Sequence, residues 1–250
     1  MIVDNRCLVA PILSAMTAEA PISTADRLEH QLERLILEGE YQPGAHINEN
    51  ALAARFDVSR GAVREACRLL QRSGLVNIVP NQGSFVCALS VAEIVNLFDV
   101  RACLGRLAGR RAAATATRAA LTQMRDLITA MDEASRASDA DRYIGLNIAF
   151  HAALYGTTGN AQLAALDAQM GKQLRIYRRH GLEFGGGLTV SNAEHRSILA
   201  AVEGGDCEAA GNEVEKHIEN GRDRFIRAMS ATGQLVLKEN VTGPSGRRRA

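Results

Sequence analysis

The sequence predicts a mainly α protein in two parts, an N-terminal winged helix-turn-helix and a C-terminal all-α bundle of about six helices. Three observations carry this. Two short helical patterns separated by a tight turn stand at 49–56 and 60–72; two β-rich runs around a Pro-Asn-Gln-Gly turn follow; and after Ala88 the β signal disappears while helical spacing continues almost to residue 231. With 250 residues, 46% of them hydrophobic, the chain has apolar content for two ordinary cores.

The ends are not expected to fold. In "MIVDNRCLVAPILSAM" the apolar run is short and broken by Pro11, a poor secretory signal, so 1–20 reads as a disordered leader. The closing "TGPSGRRRA" mixes Gly, Pro and Ser with three arginines, so 233–250 reads as a flexible tail.

The first unit spans 21–89. Its opening helix covers 22–38, where Leu28, Leu32, Leu35 and Ile36 recur at helical spacing before Gly39 and the turn "YQPGA". Asn48 then caps "ENALAARF", with Ala51, Leu52 and Phe56 as a short apolar face. Ser59 caps the next helix and Gly74 ends it. In that helix Arg60, Arg64, Arg68 and Arg72 are spaced by four, a drift of only about 40° per step, so they form one slanted stripe. Val63, Ala66 and Leu70, with Cys67 at the margin, gather on another side. One side is built to pack, the other to meet water or something anionic. "LVNIVPNQGSFVCA" completes the unit as a hairpin, or wing.

Charge narrows the partners. The formal net charge is +1, so no bulk attraction to nucleic acid or membrane operates. Residues 22–89 hold seven arginines against eight acidic side chains, yet 60–72 alone carry a net of +3. The positive charge is focused on the stripe. Five cysteines, an odd number without a Cys-x-x-Cys pair, suit a reducing cytoplasm and argue against a disulfide framework. No stretch approaches an uncharged membrane span.

The second unit, 90–232, opens on a capping box, Ser90 with Glu93. Breaks in the pattern divide it into helices over 90–116, 118–138, 140–157, 160–180, 190–203 and 206–231. "EFGGGLTV", Glu183 to Val190, reads as a loop, and "SNAE", Ser191 to Glu194, as a second capping box.

Helix one, "LILEGEYQPGAHINENALAARFDVSRGAVREACRLLQRSGLV" and "PNQGSFV" together resemble the winged-helix domain of GntR-family bacterial transcription regulators. The resemblance implies that Ser59 and Arg60, opening the recognition helix, and Arg64 face DNA, with Gly61 and Ala62 allowing close approach to phosphate at the helix N-terminus. Asn50 on the preceding helix and Gln82 with Gly83 on the wing occupy further DNA-contact positions of the pattern. Arg68 and Arg72 are phosphate-facing or solvated.

The segments "NIAFHAALYGTTGN", "EHRSILAAVEGGD" and "KHIENG" resemble the FCD effector domain of the FadR branch of that family. Asn147 and His151 are spaced by four on one helix face, while His195 and His217 come from two others. A lone histidine on an apolar helix is usually a packed core residue; three in register with an FCD metal pattern point to a divalent transition metal, zinc or nickel first. Many FCD domains have an aspartate where Asn147 stands, so the site is one unit more positive and favours an anionic ligand. "RACLGRLAGRRAA" keeps Arg101 of the family's Arg-x-x-Leu-Glu pattern but has Gly105 for the glutamate, which leaves Arg101 freer to meet an effector carboxylate, or simply restructured.

The resemblance therefore implies a cytoplasmic, homodimeric, ligand-responsive regulator, a repressor of a metabolic operon, that binds operator DNA and a small organic acid and touches no membrane. Two alternatives stay open: a metal-dependent enzyme fused to a DNA-binding domain, and a regulator whose metal is purely structural. Against the enzyme, the only adjacent base is Glu194, which follows its own helix beside His195 and points elsewhere.

Overall fold

The structure, a computed structural model, describes residues 23–183 and 187–231, with the side chains of 178–183 left aside. The expected leader (1–20) and tail (233–250) lie outside these residues. Among the described residues no helix is long and apolar enough to cross a membrane.

The first described element is α1 (Thr24–Leu37), held at its start by a capping box: the Ser23 hydroxyl accepts from the Asp26 amide, and the Asp26 carboxylate accepts from the Ser23 amide. It buries Leu28, Leu32, Leu35 and Ile36. Then come β1 (His46–Ile47), α2 (Glu49–Phe56), α3 (Arg60–Arg72), β2 (Val76–Val79) and β3 (Gly83–Val86). Asn48 caps α2 by accepting from the amides of Asn50 and Ala51, and Asp57, in the left-handed region at φ 50°, ends it and turns the chain into α3. The expected hairpin β2–β3 is present, but β3 also pairs with β1, giving an antiparallel sheet of order β1-β3-β2. Two residues are too few to show an alternating pattern, and for this reason β1 escapes a reading by periodicity.

Val63, Ala66, Cys67 and Leu70 on α3 are buried against Leu28, Leu32 and Ile36 of α1 and Leu52 of α2, while Arg60, Arg64, Arg68 and Arg72 are exposed. The two sides of the recognition helix thus part as its sequence requires.

Six helices follow among the described residues: α4 (Val91–Thr115), α5 (Arg118–Arg136), α6 (Ala140–Gly156), α7 (Ala161–Glu183), α8 (Gly187–Glu203) and α9 (Cys207–Ala231). They enclose one core that includes Phe98, Tyr143, Phe150, Ile198 and Phe225. The tightest contact is α4 against α9. A Cβ on Gly109 would stand 2.4 Å from the Ala210 carbonyl oxygen, and one on Gly105 would stand 2.5 Å from Ile218 and 2.9 Å from Val214. Gly105 is therefore where α9 leans on α4; a glutamate there would collide with it.

One expectation fails. Residues 187–190 belong to α8, not to a loop, and "SNAE" lies inside that helix. Ser191 is buried, and Glu194 spends its carboxylate on residues of α9 instead of on a helix start. A capping signature is local; three partners on another helix outweigh it.

Candidate functional site

Two groups of side chains, one on each unit, carry the chemistry. On the first, the Ser59 hydroxyl accepts from the Ala62 amide at 3.2 Å and fixes the start of α3. Arg60 stands exposed at the first helical position and Gly61 beside it, where a Cβ would meet only the Ser59 hydroxyl within 4 Å. Arg64, a turn later, donates its Nε–H to Glu49 of α2 at 2.7 Å. Asn50, the next residue of α2, is exposed. Arg68 and Arg72 lean on Glu65, at 3.0 and 3.8 Å. Gln82 and Gly83 sit apart from these on the wing turn, where Asn81 has φ 61° and Gly83 φ 106°. Gly83 has a second reason to lack a side chain: a Cβ would lie 2.9 Å from the His46 ring.

On the second unit, α6, α8 and α9 bring His151, His195 and His217 together, all buried, each offering a ring nitrogen within 4.8 Å of the others. The Nε2 atoms of His151 and His217 are 3.2 Å apart. Two imidazole nitrogens each about 2.0–2.1 Å from one ion lie roughly 2.9–3.4 Å apart for bond angles between square and tetrahedral, so this spacing suits a shared metal. The outer nitrogens are oriented as ligands need. Nδ1 of His217 faces Glu194 Oε2 at 2.7 Å, and Nδ1 of His195 faces Asn192 Oδ1 at 3.4 Å. Asn192 donates its amide hydrogens to Ile128 O and Asp132 Oδ1, so its oxygen is the atom turned to His195. With Nδ1 of both rings turned to outward oxygens, Nε2 is the nitrogen that each ring can present to an ion. The donor set fits a divalent transition metal.

The expectation for Glu194 is overturned: it points at the cluster. Beyond His217, its carboxylate accepts from Asn220 Nδ2 at 2.9 Å and from both Nη groups of Arg224 at 2.7 and 3.0 Å. Burial works to raise its pKa, but the hydrogen bonds from His217 and Arg224 prevail and bring it down to about 2. One signal for this was available, since Asn220 and Arg224 follow His217 by three and seven residues and so share its helix face.

A cavity of about 40 Å³ opens beside the cluster, lined among others by Arg101, Asn147, His151, His217 and Arg224. Asn147 is thus beside His151 as its spacing requires, and it is buried. Arg101 lines the cavity but is not free: its Nε–H is donated to Asp167 of α7 at 2.8 Å, with the two side chains 2% and 9% exposed. Sequence reasoning missed Asp167, which lies 66 residues from its partner and belongs to no motif. Tyr143 and Tyr155 are both fully buried, and burial raises both phenols, that of Tyr143 to about 12.

Comparison with known proteins places both halves. The profile of bacterial regulatory proteins of the gntR family matches residues 24–86, and that of the FCD domain matches residues 96–220. An uncharacterized HTH-type transcriptional regulator from an unstable DNA locus of Streptomyces ambofaciens is 30% identical over 214 residues, covering 86% of this chain and 90% of its own. The Nta operon transcriptional regulator of Aminobacter aminovorans is 28% identical, covering 82% of this chain and 95% of its own. Among solved structures, Escherichia coli McbR/YncC shares the fold with a TM-score of 0.72 at 20% identity, over 82% of this chain and 98% of that one.

Proposed function

Because this chain belongs to the GntR family of bacterial transcription regulators, in the branch that carries an FCD domain, and is a regulator and not an enzyme, we propose that it is a cytoplasmic, homodimeric operator-binding repressor released or tightened by a small organic acid on a bound metal. In this reading residues 21–89 form the DNA-binding unit and 90–232 the effector-binding and dimerising unit. Two copies present two recognition helices to a palindrome. Arg60 and Arg64 read base edges, while Asn50, Ser59, Gly61, Ala62, Gln82 and Gly83 approach the backbone or groove. That the Aminobacter relative is named for an operon supports control of an operon here.

The observation that carries the effector reading is the charge balance around His151, His195 and His217. Glu194 is matched by Arg224 and Asp167 by Arg101, and Asn147 is neutral, so a divalent ion held by the three imidazoles would keep its charge. Such a charge in a buried site favours an anion that completes its coordination. A bound zinc or nickel ion would supply open coordination positions for a carboxylate; the chain's part is to hold the His195 and His217 rings by their Nδ1 atoms and to line the remaining space with Arg101, Asn147 and Arg224. The cavity's small volume also suits a purely structural metal. Titrating small carboxylic acids into metal-loaded protein separates the two: a melting temperature raised by one acid and unchanged after chelation supports the effector site, and a metal-loaded protein indifferent to every acid points to the structural role.

A further inference from the structure

One helix, α7, touches both a residue of the cavity wall, Arg101, and the DNA-binding unit. At Asp167 it holds Arg101, which lines the cavity. Two residues on, Gln169 Nε2 donates to the carbonyl of Arg72, the last residue of the recognition helix. Lys172 Nζ donates to Glu33 Oε2 of α1 at 2.7 Å. The Gln173 side chain fills the place of a Cβ on Gly74, whose φ of +76° ends the α3 segment. Ile176 packs on the core of the N-terminal unit, and the Tyr177 hydroxyl accepts from the Leu89 amide, just before α4. From Asp167 to Tyr177 is about 15 Å of continuous helix, stiff over that length.

Resting on the reading above, in which the winged helix binds DNA and the cavity takes an anion, we infer that α7 is the strut that sets the pose of the recognition helix according to what Arg101 is paired with, and that Asp167, Gln169 and Lys172 are positioning residues for DNA recognition. An anion entering the cavity meets the guanidinium that Asp167 already holds. If it draws Arg101 away, Asp167 is left buried without its counter-charge, which is costly, and the relief is a shift of α7. Because α7 is bonded to Arg72, Glu33 and Leu89, that shift reaches both ends of the DNA-binding unit. The population moves only by the difference in the anion's affinity for the two arrangements.

The test uses the full chain and a duplex selected from a random pool by the unaltered protein, with no effector. Lys172→Met and Glu33→Gln each break the half-buried α1–α7 ion pair without touching the cavity, and they change the net charge in opposite senses. Both should change affinity for the duplex at least threefold in the same direction, whereas an effect of charge alone would move them oppositely. Asp167→Asn should shift affinity in that direction too, and combined with Lys172→Met should give no more than the larger single effect. Amide exchange in α1 and the last turn of α3 should quicken at least threefold in each variant. Unchanged affinity and exchange in folded Lys172→Met, opposite shifts in the two ion-pair variants, or additive effects in the double variant overturn the strut. Arg64→Ala, run alongside, tests the DNA reading itself: if it binds as the unaltered protein does, that reading falls while the exchange measurements still decide α7.

Discussion

Arg64 is held by Glu49: its Nε–H meets Glu49 Oε2 at 2.7 Å across the turn of the helix-turn-helix. The pair leaves the two Nη groups uncommitted to that carboxylate while fixing the plane of the guanidinium. An arginine so oriented is suited to fork onto a guanine edge.

Arg64→Ala is expected to lose about 1–3 kcal/mol of discrimination, at least roughly tenfold in specific binding, with the fold intact. Glu49→Gln keeps an acceptor but not the charge, and should lose about threefold. Gel-shift titration with circular dichroism on the same samples checks both; full operator affinity in folded Arg64→Ala would remove Arg64 from the interface.

Clustered arginines act on DNA largely through release of counterions, so binding should weaken steeply as salt rises. Alanine at Arg68 or Arg72 should flatten the slope of log affinity against log salt by about one if that residue touches a phosphate, and leave it unchanged if it is solvated.

His151→Ala and His217→Ala should each lose the metal from protein purified without a histidine tag or chelator. Glu194→Gln, which weakens the partner of His217 Nδ1, should lower metal affinity about 10–100-fold without removing a ligand. Elemental analysis and competition with a chromophoric chelator read the outcome; full metal content in both histidine variants would make the cluster a packed core.

A cognate small carboxylic acid should raise the melting temperature of metal-loaded protein and alter operator affinity, and chelation or His195→Ala should cancel both. An equal response of metal-free protein to a neutral sugar would separate the effector from the metal.

Gly109→Ala should destabilise the bundle by about 1–3 kcal/mol, because its Cβ would stand 2.4 Å from the Ala210 carbonyl and backbone must yield. Thermal unfolding measures this directly; a variant as stable as the parent would mean that α4 and α9 separate easily.

Much of this architecture is legible in the residues themselves. The α3 stripe and its buried side could be read from spacing, since burial and helical period coincide there. His151, His195 and His217 could be gathered only through resemblance to a family pattern, because three helices contribute one residue each. Asp167 could not be read at all: its meaning depends on Arg101, which no local pattern ties to it. Ser191 and Glu194 were misleading, since a capping sequence looks the same whether its carboxylate turns to its own helix start or to Arg224 and His217 on another helix.

The glycines between α4 and α9 have a consequence for selectivity. Arg101 rides on one of these helices, His217 and Arg224 on the other; Gly109 sets α4 directly against the Ala210 backbone, and Gly105 seats the Val214 and Ile218 side chains with no room to spare. The helices therefore form a calliper locked at one setting. For the acid effector proposed above, a chain too long for the gap would have to part helices that already touch at Gly109, so chain length, more than the number of hydroxyls, should decide which acids fit.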